Sequence, residues 1–186
     1  MKTSLLLLLS LFALASCQKE PMVIPKAAPL KYADVAELKK DTIPDKAAFK
    51  IKLVKDATDY DETMFIFDKT SSLDYDANVD AQYFTGFGQE SLSSISPDGT
   101  NLAIYRLPYR PGMAVGLDVN MQSSGAYTLA ISYEKNIPAN VHIWVKDNYL
   151  NNSFDVTAKN YAFSVTKADA NSYGSKRFEL VINSSN

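Results

Sequence analysis

An all-β domain, an antiparallel β-sandwich of Ig-like or jelly-roll-like type, is the fold class that this sequence predicts, and three observations predict it. Aromatic residues are plentiful, with 11 Tyr, 9 Phe and one Trp in 186 residues, and Val, Ile and Thr recur in short runs. These are the residue types that fit a pleated, half-buried surface. From residue 47 onward apolar positions recur with period two, the signature of strands with one face in a core. Between the runs lie clusters of Gly, Pro, Asn, Asp and Ser at close spacing, the punctuation of an all-β chain. Helical spacing is confined to residues 32–40, where Ala33, Val35, Ala36 and Leu38 alternate with charges and would make a turn or two without a convincing cap.

The strands follow in order. Phe49, Ile51 and Leu53 alternate with Lys50 and Lys52. Residues 63–67 are apolar at every position from Met64, which predicts burial on both faces. Residues 68–80 are acidic and rich in turn formers and read as a loop, followed by the short aromatic stretch 83–87. Residues 92–95 lead into Ser96-Pro97-Asp98-Gly99. There Pro presets the first central torsion and Gly accepts positive φ, so 102–107 is expected to run back along 92–95. Pro108 and Pro111 interrupt pairing before Met113, Val115, Leu117, Val119 and Met121, an unbroken alternation that predicts a core strand. Ser123-Ser124-Gly125 is expected to turn it as a hairpin into 127–133, with Tyr127, Leu129, Ile131 and Tyr133 on one face. Val141, Ile143 and Val145 then alternate with His142, Trp144 and Lys146, and shorter strands are expected at 153–156, 161–165 and 177–182.

The amino terminus carries a different kind of signal. Lys2 precedes an apolar run from Leu5 to Ala15, too short to span a bilayer, and Leu14-Ala15-Ser16-Cys17 closes it. This tetrapeptide resembles the lipobox of bacterial lipoproteins, whose cysteine is acylated and becomes the first residue after cleavage. The expected organisation is a signal peptide at 1–16, a lipidated Cys17 with a Pro- and Lys-containing flexible tether to residue 46, and the β-sandwich at 47–186. Two or more acyl chains anchor firmly, at about 0.8 kcal/mol per buried methylene. Gln18-Lys19-Glu20 resembles the Lys-plus-acid signal that sends lipoproteins of Bacteroidetes-type bacteria to the cell surface. An outer-membrane lipoprotein exposed at the surface is therefore the expected location.

Loss of residues 1–16 removes one of the 19 basic residues and none of the 21 acidic ones, leaving a formal charge of −3. The lysines are scattered among acids, so no basic stripe for nucleic acid is present. Cys17 is the only cysteine, and its lipidation leaves no thiol for a disulfide, a zinc site or a nucleophile.

Asp98-Gly99-Thr100-Asn101-Leu102-Ala103-Ile104, Gly125-Ala126-Tyr127-Thr128-Leu129, Val145-Lys146-Asp147, Tyr161-Ala162-Phe163 and Arg177-Phe178-Glu179-Leu180 come in this order. Over about residues 61–182 they resemble a β-sandwich module of secreted and cell-surface Bacteroidetes proteins, one that commonly precedes a carboxy-terminal sorting signal. Phe67, Asp76 and the stretch Asp80 to Tyr83 resemble that family's second strand and acidic segment. Two features depart from the pattern: no sorting domain follows the sandwich before Asn186, and a lipobox precedes it. The module is thus expected to be the whole exported domain. The resemblance implies a location and a fold and supplies no catalytic residue.

Chemistry is sparse. His142 is the only histidine, and mid-strand between Val141 and Ile143 it needs no catalytic role. Asp74, Asp76 and Asp80 are the candidate calcium loop, since hard oxygen ligands along one turn suit that ion. The EF-hand pattern fails there for want of the turn glycine and the closing glutamate. His142, Trp144 and Tyr149 form a candidate ligand-binding set in which an outward aromatic ring would stack on a sugar. The expectation is a membrane-anchored, non-catalytic lipoprotein without a cofactor, whose domain binds or scaffolds another macromolecule, a protein or a glycan, at the cell envelope. The alternative is a carbohydrate-binding module built on the exposed aromatics around Trp144.

Overall fold

Alternation at the start of the domain places side chains as period two dictates. In β1 (Ala48–Val54) Phe49, Ile51 and Leu53 are fully buried, while Lys50 and Lys52 face outward. The computed structural model describes residues 43–85 and 88–184. The predicted signal, Cys17 and the predicted tether as far as residue 42 lie outside those residues. Ile43 is buried in the core, and Lys46 N donates to Phe67 O at 2.7 Å, so residues 43–46 pack as part of the fold.

The remaining strands are β2 (Tyr60–Phe67), β3 (Ala81–Gln82), β4 (Glu90–Ile95), β5 (Asn101–Leu107), β6 (Met113–Met121), β7 (Gly125–Lys135), β8 (Val141–Asp147), β9 (Asn152–Asp155), β10 (Tyr161–Val165) and β11 (Phe178–Ser184). A three-residue 3-10 turn at Ala170–Ser172 is the one helical element among the described residues. The fold is all-β. Its strands form one hydrogen-bonded sheet in the order β10-β7-β1-β2-β5-β4-β6-β11-β8-β9, with β3 on β5. Every pairing is antiparallel except β2 with β5. The sheet curls toward closure, and its two ends are tied across the gap. Tyr161 of β10 donates its hydroxyl to Asp147 of β8 at 2.9 Å, and its ring lies 5.4 Å from that of Phe154 in β9.

One core fills the interior. On one side Phe49 stacks on Phe65 at 4.7 Å and leans on Phe67, with Tyr105 beside Phe65. On the other, Phe163 packs edge-on against Phe178 at 4.8 Å and meets Tyr127 and Tyr161. Each fully buried large side chain contributes about 1.5–3 kcal/mol relative to exposure. Small polar side chains occupy the bend between β2, β4 and β5, where Thr63 Oγ1 and Ser94 Oγ both donate to Leu102 O. Nearby, Asp61 Oδ2 accepts from Tyr83 Oη at 2.6 Å and Leu92 N at 2.9 Å.

Four expectations change. The hairpin between β6 and β7 is absent: β6 pairs with β4 and β11, and β7 with β1 and β10. Residues 122–124 carry the chain from one half of the sheet to the other, held by Gln122 N on Gln89 O and Tyr127 Oη on Ser123 O. Both strands bury apolar side chains, Val115, Leu117, Val119 and Met121 in β6 and Tyr127 and Leu129 in β7, and burial is satisfied equally by strands facing each other across a core. Strand β2 has one buried face, not two, because Thr63, Phe65 and Phe67 point inward while Met64 and Ile66 are only half-buried. In β7 the inward run ends early. The β1–β7 register slips between Lys50 and Ile51, so that Ile51 pairs with Ile131 but Lys50 with Tyr133. Ile131 is left half-buried and Tyr133 exposed. Finally, β5 follows β4 for only two residue pairs before joining β2; of the aromatic stretch 83–87, residues 86–87 lie outside the described residues, and β3 covers Ala81–Gln82 just before it.

Candidate functional site

β8 organises the candidate site. Its alternation buries Val141, Ile143 and Val145 and turns His142, Trp144 and Lys146 outward. Cross-strand pairing then sets their neighbours: Asn183 and Ser184 of β11 lie opposite His142 and Val141, and Asp155 of β9 lies opposite Trp144. His142 Nδ1 sits 2.7 Å from Asp155 Oδ2. Burial pushes the Asp155 carboxyl upward, but hydrogen bonds from Thr157 and His142 outweigh it and hold the group below the usual carboxylate range. His142, Trp144, Asp155, Asn183 and Ser184 line a depression of about 210 Å³. The Trp144 side is open, with the residue 36% exposed. Ser184 Oγ is buried there and has no hydrogen-bond partner among the described residues. Further along the same face Lys146 Nζ donates to Glu179 Oε2 at 3.0 Å.

Tyr149 is not part of this patch. It follows the inward-facing Asp147 at the opposite end of β8, and Asp147 Oδ1 accepts from Tyr149 N at 3.0 Å and Leu150 N at 3.1 Å. Asp147 is fully buried, and so is its partner Arg177 just before β11. The Arg177 guanidinium donates from Nη2 to Asp147 Oδ2 at 2.9 Å, from Nε to both Asp147 oxygens at 3.2 Å, and from Nη1 to Ser164 O at 2.8 Å and to Ser172 O. It is sandwiched among Phe163, Phe178 and Tyr149, 4.6–5.0 Å from their ring centroids. Burial, then the Asp147 carboxylate, pushes the Tyr161 hydroxyl up to about 12.

The acidic loop is occupied by its own turn chemistry. Asp76 Oδ1 accepts from Asn78 N and Nδ2, while Asp80 accepts from Asp76 N and Arg106 N. Asp74, Asp76 and Asp80 are not brought into a ligand set, and no three acidic, His or Cys side chains are placed to hold a metal ion among the described residues.

Sequence reading missed Asp147, Asp155, Arg177, Asn183 and Ser184. One signal was available for Asp147: carrying the β8 alternation one step past Val145 puts an acid on the core face, where it needs a cation. Nothing local marked Arg177 as that cation.

No family model, curated protein or solved structure matches the chain.

Proposed function

We propose that this protein is a non-catalytic lipoprotein of the cell envelope, anchored through acylated Cys17 and exposed at the cell surface, and that its domain binds a glycan at Trp144. The observation that carries the reading is the Trp144 patch. A partly exposed indole stands beside the His142–Asp155 pair, Asn183 and the Ser184 hydroxyl, which has no hydrogen-bond partner among the described residues. A sugar ring offers an apolar C–H face for the indole and hydroxyls for the polar groups, so the patch suits a saccharide better than a flat protein partner.

For the architecture we propose a sandwich, with β10, β7, β1 and β2 in one layer, β4, β6, β11, β8 and β9 in the other, and β5 at the bend. The two-pair seam between β4 and β5 supports this division. The motifs that resemble the Bacteroidetes surface module fall on the turn before β5, on β5 itself and on β7, β8, β10 and β11.

Because Trp144 is the only tryptophan, its emission reports on the patch directly. Titrating the full chain with maltotriose, cellotriose, mannotriose and chitotriose should quench or shift that emission for at least one glycan. Calorimetry should show the same binding lost in Trp144→Ala. Silence across the panel would sink the reading.

A further inference from the structure

The pocket at the end of β8 is larger than the Trp144 patch and is built differently. It encloses about 500 Å³, within the size range of small-molecule sites, and is walled by two tyrosines, Tyr149 and Tyr173, with Asn148, Asn171 and Lys176 around them. Its walls are held from beneath. The Arg177 guanidinium underlies the Tyr149 ring, Asp147 fixes the Tyr149 backbone, and Tyr149 Oη donates to Asp169 Oδ2 at 3.0 Å. On the far side Gly174 N donates to Val119 O at 2.7 Å, and the Lys167 ammonium lies 3.7 Å from the Tyr173 ring centroid. With 44% of its surface open, Tyr149 presents a ring already oriented before any ligand arrives. Such preorganisation lowers the ordering cost of binding.

The charges around the pocket decide what it takes. Asp147 neutralises Arg177, while Asp169, held ionised by the Asn171 N–H and the Tyr149 hydroxyl, keeps its negative charge beyond that hydroxyl and is not among the residues that line the pocket. Lys176 is exposed and has no acidic partner among the described residues. Lys167 adds a second positive charge nearby. An anionic group on the ligand would give Lys176 a charge-assisted hydrogen bond that a neutral ligand cannot.

We propose that this rim pocket is a second saccharide site, specific for an acidic sugar such as a uronic acid, with Tyr149 as the stacking surface, Tyr173 as a wall and Lys176 as the carboxylate partner. It shares the glycan reading of the Trp144 patch but none of its residues.

The test is a titration of the isotope-labelled full chain with trigalacturonate and, separately, maltotriose, following the amides of Asn171 and Gly174 and the indole of Trp144. Trigalacturonate should move the two amides. Lys176→Met should weaken that binding about tenfold, the loss of one hydrogen bond to a charged group, while Lys176→Arg and Trp144→Ala leave it nearly unchanged. The rim site is overturned if the amides do not move, if Lys176→Met binds as tightly as the wild type, or if maltotriose moves the same amides equally. The two sites fail separately. A trigalacturonate response confined to the Trp144 indole would refute the rim pocket and leave the patch standing, whereas a response confined to the amides supports the rim pocket and leaves the patch to stand or fall on its own panel of neutral glycans.

Discussion

Arg177→Met removes the cation of a buried pair and leaves its carboxylate in place. Asp147 would keep only the Tyr161 hydroxyl and the N–H groups of Tyr149 and Leu150, while Ser164 O and Ser172 O would lose a donor. Breaking a buried ion pair from one side costs about 3–5 kcal/mol, because the remaining charge is stranded in low dielectric. The methionine stem would still fill much of the space among Phe163, Phe178 and Tyr149, so the cavity contribution is small. A loss of 3–5 kcal/mol is a large part of the 5–15 kcal/mol that holds a typical domain. Urea melts of the full chain, followed by Trp144 emission and far-ultraviolet dichroism, would measure it. The double variant Arg177→Met, Asp147→Leu should be more stable than the sum of the two single losses, because removing both partners strands no charge. A single-variant loss under about 1 kcal/mol, or strictly additive losses, would refute the view that the buried Asp147 carboxylate depends on Arg177 for its compensation.

In the core, Leu117→Ala should cost about 2–5 kcal/mol through lost transfer energy and an unfilled cavity, whereas the half-buried Ile131 should cost about half as much in the same melts. Glu90 is buried beside Lys55 and Asp59, with Lys55 Nζ 3.5 Å from its Oε1, and burial followed by Asp59 raises its pKa above the ordinary value. Between the ordinary glutamate value, about 4.3, and that raised pKa the folded state binds more protons than the unfolded chain, so stability falls as pH rises through this window. Glu90→Gln should flatten that decline in thermal melts taken across the window. Cys17→Ser should abolish labelling with radioactive palmitate and release the protein from the membrane fraction while leaving its melting temperature unchanged; an unlabelled wild type would remove the anchor from the proposal.

Period-two burial is a local property of the chain, so the class of fold and the placement of most strands were legible before any tertiary contact was known. The alternation of Met113–Met121 bounds β6, and that of Val141, Ile143 and Val145 locates β8. The same alternation turned Trp144 and His142 to the outer face. Which strands lie side by side was decided only in three dimensions. An apolar face is satisfied by any opposing apolar face, so the pattern in β6 and β7 could not distinguish a hairpin from a crossing of the core, and the parallel contact of β2 with β5 has no local signature. The candidate sites divide in the same way. Asp155, Asn183 and Ser184 surround Trp144 through registers that join distant segments, and Tyr149, near Trp144 in sequence, falls in a separate pocket because Asp147 turns inward between them. Arg177 meets Asp147 across 30 residues of chain. Such a pair forms only where packing excludes water, and no sequence spacing encodes that exclusion.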